Sequence, residues 1–171
     1  MNRHPTGKLF RTDAGADLVL TRSFRASAED VWASLTESER TARWYGPWEG
    51  DATPGSTIKV QLAFEDQAPW VDMRIDACEP PRRLALSAID ESGTWLIEVH
   101  LSEADGSTLL RFVQHLDTGE KLGMIGEIGA GWEYYLDMLV AARDGSPGPD
   151  FDAYYPAMKP YYAGLAARDL P

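Results

Sequence analysis

The chain has 171 residues, 44% of them apolar, and a formal net charge of −11. That length and apolar content suit one globular domain with a sizeable core and exclude a disordered chain. The acidic field repels phosphate backbones and anionic lipid surfaces, which argues against nucleic acid and membranes as partners.

Residues 1–15 are polar and glycine-containing and read as a flexible N-terminal arm. The opening MNRHPTGKLF lacks the basic-then-apolar layout of a secretion signal, and the single cysteine, Cys78, allows no internal disulfide. A cytoplasmic monomer or homodimer is the expected state. Residues 16–24, ADLVLTRSF, form a predicted strand. In SAEDVWASL, Ser27 is a candidate N-cap with Asp30 three residues on, and Val31, Trp32 and Leu35 share one helical face. A second short helix is predicted in TESERTARW, opened by Thr36 or Ser38. It runs into the Gly/Pro-marked loop WYGPWEGDATPG.

From Thr57 to Leu116 the apolar period becomes two. Ile58, Val60, Leu62 and Phe64 alternate with polar or small neighbours, as do Val71, Met73, Ile75 and Ala77. Leu84, Leu86 and Ala88 follow, then Trp95, Ile97, Val99 and Leu101. Asp105-Gly106 in ADGS is the signature of a type I′ hairpin. Closing Ala104 on Ser107 pairs Leu101 with Leu110, Val99 with Phe112, Ile97 with Gln114 and Trp95 with Leu116. Gln114 is then a single polar side chain on an apolar inner face, while Glu98, His100, Arg111 and His115 face outward.

After DTGEK the period returns to helical, and Leu122, Ile125, Gly129, Trp132, Leu136 and Leu139 form a seam that ends near Arg143. DGSPGPD stops this helix, and the tyrosine-dense residues 151–171 are expected to pack back as irregular structure with one helical turn. Glycines 123, 126, 129 and 131 lie in the helix's first half. They lack the preceding buried strand and the Lys-Ser/Thr of a phosphate loop. As mid-helix residues they would cost roughly 3–4 kcal/mol in all against alanine, so packing must compensate or the helix start is kinked. Gly129 and its neighbour Gly126 either allow close helix–sheet contact or leave a cavity.

The order of elements, with AEDVWASLTESERTARWYGP near the start and GWEYYLDML in the last helix, resembles the START-like (SRPBCC) superfamily. Within it the chain is most similar to the branch named after the activator of the heat-shock-protein-90 ATPase. The carrying pieces are Val31-Trp32, the ARW-x-GP element from Ala42 to Pro47, Glu79-Pro80 and Gly131-Trp132. Pro54-Gly55-Ser56 replaces a frequent double glycine, and Gln114 stands where a histidine is frequent, so no acid–base chemistry is carried over. The resemblance implies an α+β helix-grip fold. In it a curved antiparallel sheet wraps a long C-terminal helix, and two short helices follow the first strand. It would span residues 16–143, with a Tyr-rich extension over 144–171 packed on it.

The family includes ligand carriers, polyketide cyclases and chaperone activators. The favoured expectation is binding of a small hydrophobic or aromatic molecule between sheet and helix. The alternatives are a chaperone ATPase activator or other protein-interaction module, and a cyclase- or hydrolase-type enzyme in the same cavity. Expected wall residues on the sheet are Phe64, Met73, Trp95, Ile97, Phe112 and Gln114. The helix would contribute Gly129, Trp132 and Tyr135, with Trp44 and Trp48 at the rim. Gln114 is assigned to orient a polar group of the ligand. His4, His100 and His115 are too scattered for a metal site, no set of residues names a catalytic reaction, and no cofactor is expected.

Overall fold

The computed structural model describes residues 3–91 and 93–168, so residues 1–2 of the expected arm and 169–171 of the expected extension lie outside it. Eight strands form one antiparallel sheet in the order β1-β2-β8-β7-β6-β5-β4-β3. They are β1 (Lys8–Thr12), β2 (Gly15–Phe24), β3 (Trp48–Glu49), β4 (Thr57–Gln61), β5 (Trp70–Glu79), β6 (Arg83–Asp90), β7 (Gly93–Ala104) and β8 (Ser107–Leu116). Helices α1 (Ala28–Thr36) and α2 (Ser38–Thr41) follow β2, and α3 (Gly119–Gly123), α4 (Ile125–Asp144) and α5 (Lys159–Arg168) follow β8. This is the α+β helix-grip fold, with the curved sheet around α4.

Local chemistry explains most boundaries. The Ser27 side chain accepts from the Asp30 N–H to start α1. Asp105 and Gly106 both adopt positive φ, as a type I′ turn requires, and the β7–β8 register runs from Ala104↔Ser107 through Ile97↔Gln114 to Leu96↔His115. The ladder ends there, short of the expected Trp95–Leu116 pair. Gly145, at φ 67°, closes α4 with its N–H on the Ala141 carbonyl.

Three expectations are corrected. Residues 8–12 are not part of a loose arm: they pair with β2 from Lys8↔Val19 to Thr12↔Gly15 as an edge strand. Of KLFRT only Leu9 turns inward, so an amphipathic period was never available to announce it. The tail forms a ten-residue helix, α5, rather than a single turn. The long helix is interrupted at Met124, which separates α3 from α4.

Helix α4 packs along β2 and carries α5 on a second face. Gly126, Gly129, Glu133 and Asp137 stand at i, i+3, i+7 and i+11, one stripe along the helix. A Cβ on Gly129 would fall onto the Tyr162 ring, and one on Gly126 would crowd the Lys159 side chain. These glycines therefore neither touch the sheet nor open a cavity; they admit α5. Farther along the stripe Glu133, 1% exposed, accepts from the Thr6 N–H at 2.7 Å and pairs with Arg22 at 3.2 Å. Asp137 accepts from Arg22, Arg3 and the Tyr154 hydroxyl. The phenol of Tyr162 accepts from the Gly7 N–H, and that of Tyr161 donates to the Gly7 carbonyl. Both terminal segments are thus fastened over α4.

On the outer sheet face His115 Nδ1 lies 2.7 Å from Asp17 and Nε2 lies 2.6 Å from Glu98, which also pairs with Arg83 at 2.8 Å. Both ring nitrogens can donate only when the imidazole is charged.

Gly131 has nothing within 4 Å of a built Cβ. Gly131→Ala is therefore expected to stabilise the protein by about 0.5–1 kcal/mol. Gly129→Leu, by contrast, displaces Tyr162 at the upper end of the roughly 1–3 kcal/mol typical of overpacking. Urea unfolding measures both, and equal effects would contradict the assigned packing. For His115, burial opposes the charge, but hydrogen bonds and attraction from Glu98 and Asp17 outweigh it and raise the pKa. Its stabilisation is complete below the unfolded value of about 6.5 and is lost as pH rises through the higher folded value. Urea midpoints should fall across that alkaline flank, and His115→Gln should flatten the fall.

Candidate functional site

Between the inner sheet face, α1 and α4 lie two adjoining chambers. The inner one, about 160 Å³, is walled by apolar side chains of β4–β8, by Trp32 and Leu35 of α1, and by Trp44, Tyr45 and Trp48. The outer one, about 390 Å³, is bounded by Trp95, Gln114, Ile128, Gly131 and Tyr135, with Glu65, Asp90 and Glu127 among its lining residues. Tyr45, Met73, Leu86, Ile97 and Trp132 border both.

Trp132 is the partition. Its ring centroid lies 4.1 Å from that of Phe112, and the indole is nearly parallel to Tyr45, at 6.0 Å and 6°. Its N–H donates to Gln114 Oε1 at 2.6 Å. Tyr135 packs against both Tyr45 and Trp132, and its hydroxyl donates to Glu65 at 2.6 Å. Burial, then the Glu65 carboxylate, pushes the phenol of Tyr45 up; burial and the Glu65 hydrogen bond do the same for Tyr135. Both phenols are neutral donors at ordinary pH. Cys78 lines the inner chamber, and burial raises its thiol pKa.

The expected wall residues separate into three groups. Met73, Ile97 and Trp132 border both chambers, Phe112 the inner, and Trp95, Gln114 and Tyr135 the outer. Trp44 is a buried inner wall rather than a rim, anchored by its indole N–H on the Ser34 carbonyl. Trp48 is tied in the same way to the Thr36 carbonyl. Two assignments are corrected. Phe64 lies beyond the end of β4, 43% exposed, and borders neither chamber. Gly129 faces Tyr162. Gln114 lines the outer chamber and its amide oxygen accepts from the Trp132 indole. Tyr45 and Cys78 were missed; Tyr45 sits inside the quoted ARW-x-GP element, which was the available signal.

Residues 25–143 match the family described as Activator of Hsp90 ATPase homolog 1-like protein. The chain belongs to that family. No curated protein matches the chain. The chain superposes on the crystal structure of CalU16 from Micromonospora echinospora. The two are 26% identical, with 95% of this chain and 97% of CalU16 covered and a TM-score of 0.75. A conserved protein of unknown function, EF2215 from Enterococcus faecalis, shares the fold at 19% identity, with 96% and 92% of the two chains covered and a TM-score of 0.74. DynU16, a protein in the dynemicin biosynthetic locus, does so at 21% identity over 81% of this chain and 49% of its own, with a TM-score of 0.64. No helix among the described residues is long and apolar enough to cross a membrane.

Removing one partner of the half-buried Trp132–Gln114 bond costs more than removing both. Gln114→Leu is expected to destabilise by about 1 kcal/mol, the lower end of the cost of an unpaired donor, because the indole is only half-buried. Adding Trp132→Phe to that variant should recover part of the loss. A double-mutant cycle in urea with no coupling would show that the bond does not hold the partition.

Proposed function

We propose that this protein binds a small hydrophobic or aromatic molecule in the paired chambers between the sheet and α4. The observation that carries the reading is the apolar inner chamber. At about 24 cal/mol per Å³, a dry void of its 160 Å³ would cost about 4 kcal/mol, free energy that a fitting apolar group recovers. The aromatic wall of Tyr45, Trp95, Trp132 and Tyr135 offers flat contact surfaces for a ring, and membership of a helix-grip family supports the same use of the cavity.

The uncharged dye N-phenyl-1-naphthylamine tests this. Its fluorescence should rise on binding, and bound dye should slow maleimide labelling of Cys78, the chain's single cysteine. Ile97→Trp, which projects bulk from the wall shared by both chambers, should lower dye affinity by more than about tenfold. No enhancement with the unmodified protein, or equal binding by Ile97→Trp, would overturn the proposal.

A further inference from the structure

Gln114 is only 6% exposed, and its amide is half used. An indole nitrogen can only donate, so the atom facing Trp132 is the amide oxygen and the NH₂ is left over. That NH₂ has no hydrogen-bond partner among the described residues, and Gln114 lines the outer chamber. Beside it on the sheet stands a second unanswered donor. Trp95 precedes Ile97 by two on the same face of β7, diagonal to Gln114, and its indole N–H is buried with no partner among the described residues. Buried polar groups are ordinarily paired, and the buried Trp95 N–H, with the unused Gln114 NH₂ beside it in the lining, gives an acceptor in the chamber two donors to meet.

The charges around the chamber narrow the kind of acceptor. Its acidic and basic lining residues are Glu65, Asp90 and Glu127, all carboxylates. Two cations lie near: Lys121, 5.3 Å over the Trp95 ring, donates to the Thr94 carbonyl and Asp117, and Lys159 pairs with Glu127 at 2.9 Å; neither lines the chamber. An anionic acceptor would enter among carboxylates, with both nearby cations already engaged by other partners.

We infer that the outer chamber takes an uncharged planar molecule carrying a hydrogen-bond acceptor, of the aryl ketone or ring-carbonyl class. Gln114 Nε2 donates to that acceptor, and the Trp95 indole N–H is the second donor of the same wall. This rests on the ligand-binding reading above and assigns the polar end of the ligand.

Three probes of matched size separate the two ideas by calorimetric titration: 1-acetonaphthone, 1-ethylnaphthalene and 1-naphthoate. The ketone should bind about tenfold more tightly than the hydrocarbon, the ratio one or two neutral hydrogen bonds make, and the carboxylate should bind weakest. Gln114→Glu, studied at alkaline pH, keeps an oxygen for Trp132 but removes the NH₂. It should abolish the ketone-over-hydrocarbon preference, a ratio that a general loss of affinity for both naphthalenes leaves readable. Trp95→Phe keeps an aromatic ring without the donor and should lower the preference in part, which provides a reading should the first variant fold poorly. Equal affinity for ketone and hydrocarbon in the unmodified protein, or a preference unchanged by either variant, would overturn the inference. Failure of both uncharged naphthalenes to bind would instead overturn the ligand-binding proposal itself.

Discussion

Helix α4 is buried along two separate faces, and most of the molecule is arranged around that constraint. One face brings Ile128, Gly131, Trp132, Tyr135 and Leu136 to the chambers. The other carries Gly126, Gly129, Glu133 and Asp137 beneath the terminal segments. A helix covering only a sheet needs one apolar stripe; this one also needs room for a tyrosine ring and partners for two carboxylates. Glycine supplies the room. Arg22, Thr6 and Tyr154 supply the partners, since a buried carboxylate is tolerated only when paired and hydrogen-bonded. The edge strand β1 and helix α5 are therefore structural parts of the domain, and they position the helix that walls the cavity.

The same helix sets the chemistry of the cavity. Trp132 is held from three directions, by Phe112, Tyr45 and the Gln114 amide, so one indole divides the space into an apolar interior and a mixed exterior. On the interior side the walls offer dispersion contacts and little else. On the exterior side neutral phenols, unused N–H donors and carboxylates lie within one chamber.

Much of the architecture was legible in local pattern. The alternation in β4 to β8, the Ser27 cap and the Asp105-Gly106 turn each act over a few residues, and the observed register pairs Ile97 with Gln114 as the turn demands. The outward placement of His115 follows from the same register, and so does the isolation of Gln114 on the inner face. Phe64 shows where alternation misleads. The apolar period continues past Gln61, but the backbone leaves the sheet there and turns through Gln67 and Ala68 at positive φ. The edge strand β1 was invisible for the converse reason: a strand that buries one residue in five carries no period.

The four glycines mark the boundary most clearly. Their spacing excluded a phosphate loop and required compensation, but it could not say what the compensation was. Tyr162, far along the chain, occupies the space over Gly129, and Gly131 is left open beside the outer chamber. Strand periods, caps and hairpin register could be read directly because turn geometry and side-chain alternation enforce them within a few residues. Which face of α4 meets the sheet, how Trp132 divides the cavity and which donors stay unpaired depended on the assembled fold. Those outcomes arise from contacts between residues distant in the chain, and no local pattern encodes which of them will meet.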